Sequence, residues 1–264
     1  MKRACFEHGG LTLSYLDSGG NGPLLITLHA MWMEARTFEG FAKAMPEWRV
    51  VSLDQRGHGL SDHASDYSRD AFVSDIAGLL DHLEERTPVV LVGNSLGGNN
   101  AIAYARHHPS RVRALVVEEP AAAQARPARP PEEHGSLDFV LEWRGIYPTR
   151  EDLERKIGER LAWSVAPSFR ETAQGWTLAF DPHELVAMEK VLSGDFWPDW
   201  LGSSCPALVV RGTQSKAVDG ALLESMAQRR PNTRLVSLEA GHVTHHDDAA
   251  GFNAAVHQFL QDLR

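Results

Sequence analysis

Residues Gly93-Asn94-Ser95-Leu96-Gly97 constrain this chain more than any other segment. An apolar run, residues 88–92, leads into them, and a helix-compatible stretch, residues 99–108, leads away. A strand that turns straight into a helix through Gly-x-Ser-x-Gly forces its serine into a strained backbone conformation. The hydroxyl is then held at the carboxyl edge of a sheet, beside the helix amino terminus. Glycine is needed two residues to either side because a Cβ there would meet neighbouring backbone. The segment predicts a presented, nucleophilic serine. The same five residues also occur in plain glycine-rich turns, so the rest of the chain must supply the partners.

The surrounding rhythm is β-then-α. Residues 11–16 alternate as an edge strand would, and residues 17–23 form a Gly/Asn/Ser turn cluster. Residues 24–28, 50–53, 88–92 and 114–117 are short continuous apolar runs, the pattern of strands buried on both faces. Between them, residues 33–45 are compatible with a helix. Phe72, Ile76, Leu79, Leu80 and Leu83 recur at helical spacing behind Ser68, which is placed to cap that helix. Repeated units of this kind predict a mostly parallel sheet of eight strands with helices on both faces.

The rhythm breaks at Pro120. Residues 121–135 are rich in Ala, Pro and Arg and read as a hinge or irregular excursion. Residues 137–201 read as mostly helical and hold five of the seven tryptophans: Trp143, Trp163, Trp176, Trp197 and Trp200. Strand and helix signals then return at 207–210, 220–229 and 233–238, followed by an amphipathic helix carrying Phe252, Val256, Phe259 and Leu263. The expected division is a core at 1–120 and 204–264, interrupted after the sixth strand by a helical cap at 121–203.

Composition narrows the function classes. A chain of 264 residues, 43% hydrophobic, can bury a sizeable core, and a formal charge of −9 argues against a nucleic-acid surface. Cys5 and Cys205 form no metal or redox motif. Lys2 and Arg3 are followed by no apolar signal region, and no run approaches the roughly 18 apolar residues of a membrane span. The expectation is a cytoplasmic protein acting on a small molecule, as a monomer or homodimer, with no cofactor, metal, nucleic acid or membrane partner.

A nucleophilic serine needs a base. Of thirteen histidines, His242 is best placed, in Ala240-Gly241-His242 between a predicted strand and the last helix. His245 and His246 lack the further ligands of a metal site and read as surface residues at a helix entry. Oxyanion donors are expected from the amides of Leu96, next to the nucleophile, and Met31, in the loop after residues 24–28. His29 reads as a residue that ties this loop down.

Four ordered motifs together resemble the α/β-hydrolase fold superfamily. They are His29-Ala30, where that family usually has His-Gly, Asp54-Gln55-Arg56-Gly57-His58-Gly59-Leu60-Ser61, the segment at 93–97, and Ala240-Gly241-His242. The resemblance spans nearly the whole chain outside the cap, and implies that Arg56 and His58 are structural. It usually places an acid in the loop after the seventh strand, but that loop reads Arg211-Gly212-Thr213-Gln214-Ser215-Lys216, with lysine where the acid would sit. Asp219, three residues on, is one alternative acid. A minority of the superfamily places it after the sixth strand, as zearalenone-type lactone hydrolases do, and Glu118-Glu119-Pro120 lies there. Strand alternation sends the two glutamates to opposite sides, so at most one faces the histidine. Aligning Arg111-Val112-Arg113 with the family's usual lead-in, the resemblance implies that Glu119 occupies the acid's place. Both could instead be solvated strand-end carboxylates.

The triad so read is Ser95, His242 and Glu119. A serine rather than an aspartate at residue 95 argues against dehalogenase and epoxide hydrolase chemistry. The expectation is hydrolysis of an ester or lactone of a bulky apolar or aromatic molecule, with Trp32, Trp143, Trp176, Trp197 and Val243 as candidate pocket residues. A carbon–carbon bond hydrolase, a perhydrolase, a cofactor-free dioxygenase and a hydrolase-fold small-molecule receptor stay open as alternatives.

Overall fold

The structure, a computed structural model, describes residues 1–120, 137–189 and 194–263. The 121–135 hinge and the start of the expected cap fall outside the described residues. Among the described residues, eight strands form one sheet: β1 (Lys2–His8), β2 (Leu11–Asp17), β3 (Leu24–Leu28), β4 (Arg49–Leu53), β5 (Val89–Asn94), β6 (Val112–Glu118), β9 (Ala207–Gly212) and β10 (Thr233–Leu238), with β7 (Phe169–Thr172) and β8 (Gly175–Leu178) in a separate hairpin. Their order is β1-β2-β4-β3-β5-β6-β9-β10; β2 runs antiparallel to β1 and β4, and every other neighbouring pair is parallel.

The apolar runs behave as strands buried on both faces. Leu24, Ile26, Leu28, Val89, Leu91, Leu115, Val117 and Val209 join a core that includes residues of α2 (Arg69–His82), α3 (Leu96–His107) and α8 (Gly220–Arg229). Their alternates, Leu25, Val90, Val92, Ala114, Val116, Leu208 and Val210, meet α1 (Glu39–Ala44) and α10 (Ala249–Gln261) on the other side. Ser68 caps α2 as expected, its hydroxyl accepting from the Ala71 amide.

One expectation is corrected and one is refined. Residues 11–16 are not the edge: β1, which has no continuous apolar run to announce it, pairs outside β2 through all seven of its residues. The described part of residues 137–201 is mostly helical, as expected, but it also holds strands that the sequence reading missed. Between α4 (Arg150–Ile157) with α5 (Glu159–Val165) and α6 (Pro182–Glu189) with α7 (Trp197–Leu201), it folds an antiparallel hairpin, β7 (Phe169–Thr172) and β8 (Gly175–Leu178). Only a two-residue turn separates those strands, too short a signal to separate from a helix by apolar spacing alone.

This insert packs on the carboxyl end of the sheet. Val140, Leu153, Val165, Phe169 and Leu185 form one buried cluster with Met31, Phe72 and Leu96 of the core. Polar ties reinforce it: Ser168 Oγ donates to Trp32 O at 2.7 Å, and Arg36 and Arg170 both pair with the fully buried Glu34.

Candidate active site

Ser95 sits between β5 and α3 at φ 52°, ψ −112°, in the left-handed region that a non-glycine residue occupies only when its surroundings hold it there. The close packing predicted from the motif is present. A Cβ on Gly93 would lie 2.3 Å from Gly97 O, and one on Gly97 would lie 2.1 Å from Leu28 O. Among the described residues, five non-glycine residues have positive φ, and Trp32, Ser95 and Glu119 all belong to this one region.

Glu118 ends β6 and Glu119 follows it at φ 48°; the two carboxylates face different partners, and neither is solvated. The Glu119 carboxylate is fully buried; one oxygen accepts from the Gly212 amide at 2.8 Å and the other lies 3.4 Å from His242 Nδ1. A carboxylate there holds the proton on Nδ1, which leaves Nε2 unprotonated and available as a base. His242 is the more open partner, its side chain 28% exposed.

Glu118, the glutamate not assigned as the acid, holds the same loop from the other side. Its carboxylate accepts from Thr244 Oγ1 at 2.7 Å and the His245 amide at 2.8 Å, and pairs with His245 Nδ1 at 2.6 Å. His245 is therefore not a surface residue: it is buried and stacks on Phe38, with ring centres 4.2 Å apart. His246 is the exposed one, stacked on Trp163 at 3.9 Å. Asn94 Nδ2 adds a third tie, donating to Glu118 O and to His242 O.

Ser95 and His242 line one cavity of about 430 Å³ with Ala30, Met31, Trp32 and Met33. His242 Nδ1 faces Glu119, and no hydrogen bond joins the Ser95 hydroxyl to the imidazole; catalytic hydrogen bonds commonly tighten only around bound substrate. The Met31 and Leu96 amides also have no hydrogen-bond partner among the described residues, as donors reserved for an oxyanion would.

Of the candidate pocket residues, Trp32 and Val243 line this cavity; the other three do not. Trp143 is buried behind Trp32, edge-on at 6.0 Å. Trp176 is paired with Tyr147 through backbone hydrogen bonds. Trp197 starts α7, its ring under the Arg229 guanidinium at 3.7 Å, and packs on the core around α3 and α8. Trp163 is the insert tryptophan that does reach the cavity, with Arg160, Leu161 and Ser164 of the same helix. Asp219 caps α8 through the Ala221 amide at 3.0 Å. Among the described residues, no group of three His, Cys, Asp or Glu side chains could hold a metal, and no helix is long and apolar enough to cross a membrane.

A family model for the alpha/beta hydrolase fold matches residues 5–249. The chain belongs to that family. This alpha/beta hydrolase is similar to a 2-(acetamidomethylene)succinate hydrolase of Mesorhizobium japonicum, 30% identical over 243 residues, covering 86% of this chain and 84% of that one. It is also similar, over a shorter span, to a 2-hydroxymuconate semialdehyde hydrolase of a Pseudomonas species, 38% identical over 114 residues, 41% of this chain and 40% of the other. Among solved structures, one of E-2-(acetamidomethylene)succinate hydrolase superposes with a TM-score of 0.82 at 25% identity, covering 98% of this chain and 99% of that one.

The other motif residues serve the alpha/beta hydrolase scaffold. Arg56 makes a bidentate pair with Asp75 of α2, both contacts at 2.7 Å. His29 donates from Nδ1 to Ala30 O and accepts the Gln55 amide at Nε2, which fixes the loop carrying Met31. Burial holds His29 down to about 4 and, with His29 nearby, holds His58 down to about 3. An unfolded chain binds those protons near 6.5. Below that value the unfolded state takes up protons that the folded state refuses, so stability falls as pH falls, at up to about 2.7 kcal/mol per pH unit for two groups. Urea midpoints at pH 7 and pH 5 should therefore differ by about 3–4 kcal/mol in unfolding free energy, with the acid sample weaker. Equal midpoints would mean that one or both rings are charged in the fold.

Proposed function

We propose that this protein is a serine hydrolase that cleaves a carboxylic ester or lactone through an acyl-enzyme. The observation that carries the reading is Ser95 and His242 lining a common cavity, with the buried Glu119 carboxylate behind the imidazole. In the first half-reaction His242 Nε2 removes the Ser95 hydroxyl proton as Oγ bonds to the acyl carbon. Glu119 keeps the imidazole in the required tautomer and stabilises it when charged. The Met31 and Leu96 amides receive the oxyanion, each such donor being worth about 3 kcal/mol of barrier. His242 then protonates the departing alkoxide, and the ester bond has become a bond to Ser95. In the second half-reaction the same imidazole deprotonates water, which releases the acid and regenerates Ser95.

The described insert residues, 137–189 and 194–203, serve here as a cap on a core made of 1–120 and 204–264. Their packing in one cluster with Met31 and Leu96 supports that role, and Arg160, Leu161, Trp163 and Ser164 of α5 line the Ser95 cavity. Trp32, Trp163, Leu161 and Val243 supply apolar walls for a bulky acyl or alcohol part.

Aryl esters and a panel of lactones provide the test. A burst of 4-nitrophenol followed by slower turnover is expected, with covalent labelling of Ser95 by a fluorophosphonate. Tight binding of apolar ligands with neither turnover nor labelling would replace the hydrolase reading with a receptor.

A further inference from the structure

Lys216 occupies the loop position where the resemblance would usually place the triad acid, and that loop lines the Ser95 cavity. Gln214, Ser215, Lys216 and Ala217 all lie on its wall. Across from them, α5 of the insert contributes Arg160. The protein carries 35 acidic side chains against 26 Lys and Arg, yet neither cation forms an ion pair among the described residues. The other charged groups on the wall are His242 and Asp247, and both carboxylate oxygens of Asp247 are taken, by the Gly241 amide and His246 Nδ1.

Two unpaired cations on the wall of the cavity that holds Ser95 and His242 present positive charge to whatever binds there. A carboxylate on the substrate gives both cations a partner. Resting on the reading of Ser95 as nucleophile, we infer that the substrate is an anionic ester or lactone, its carboxylate held between Arg160 and Lys216 while its carbonyl lies at Ser95. Moving the acid to Glu119 frees the β9 loop for this purpose. Arg160 also makes the cap part of the specificity: α5 must be seated over the cavity for the carboxylate to meet both cations.

Mono-(4-nitrophenyl) glutarate and 4-nitrophenyl 5-methylhexanoate differ in charge at nearly equal shape. The ratio of their kcat/KM values is the readout, beside fluorophosphonate labelling of Ser95. The wild type should favour the glutarate ester, and the preference should weaken as salt is raised, because both cations are solvent-exposed. Arg160→Gln and Lys216→Gln should each lower the ratio by about tenfold, the lower end for a hydrogen bond to a charged group. A ratio near one, or one that neither substitution moves, overturns the inference; if Ser95 still labels, the nucleophile reading survives. If Ser95 does not label and neither ester turns over, both fall together.

Discussion

Ser95→Ala is expected to reduce kcat on aryl esters by about 10⁶-fold, the scale on which removing a serine nucleophile disables a triad. The loss belongs to chemistry and not to folding. The Ser95 side chain makes no cap hydrogen bond to α3, and alanine keeps the Cβ that the turn already accommodates. Unfolding midpoints should be nearly unchanged, and the fluorophosphonate should no longer label the protein. Retention of wild-type turnover by the alanine variant would remove the covalent mechanism altogether.

Glu119→Gln carries the second largest effect, a loss of about 10⁴-fold in kcat. The amide oxygen can still accept from the Gly212 amide, so the loop stays in place. The amide nitrogen then faces His242 Nδ1 as a donor, which drives the ring proton to Nε2 and leaves no lone pair to receive the Ser95 proton. Asp219→Asn should change turnover little, because asparagine caps a helix about as well as aspartate does and the side chain is engaged with α8. Measuring kcat for the two variants separates the candidate acids. A large loss at residue 219 with a small one at 119 would return the acid to the loop after β9.

Much of this was legible without coordinates, because some signals are local. The strand–serine–helix turn depends on residues within two positions of Ser95, and the parallel strands on unbroken apolar runs. Capping of α2 depends on Ser68 alone. The opposite facings of Glu118 and Glu119 were expected from strand alternation, although Glu119 lies just past β6 at φ 48°. Where the signal is weak or shared, the reading went astray. β1 mixes charged and apolar residues and is recognisable only by its pairing to β2. Tryptophans in the insert look alike in sequence, whether they fill its interior, as Trp143 does, or line the cavity, as Trp163 does. His245 and His246 are adjacent, yet one is buried against Glu118 and the other is on the surface, because a short helix turns consecutive side chains apart.

The sequence by itself determined the α/β architecture, the strained serine and the short roster of residues able to serve it. Those features follow from backbone sterics and apolar spacing over a few residues, which any chain must obey wherever it lies in space. Only the tertiary structure brought the Glu119 carboxylate within 3.4 Å of His242 Nδ1, made Glu118 an anchor of the same loop, and put Arg160 and Lys216 on the wall of the serine's cavity. Such meetings join residues more than fifty positions apart. They are set by how the insert packs on the sheet end and by the register of β6 beside β9, which no local pattern encodes.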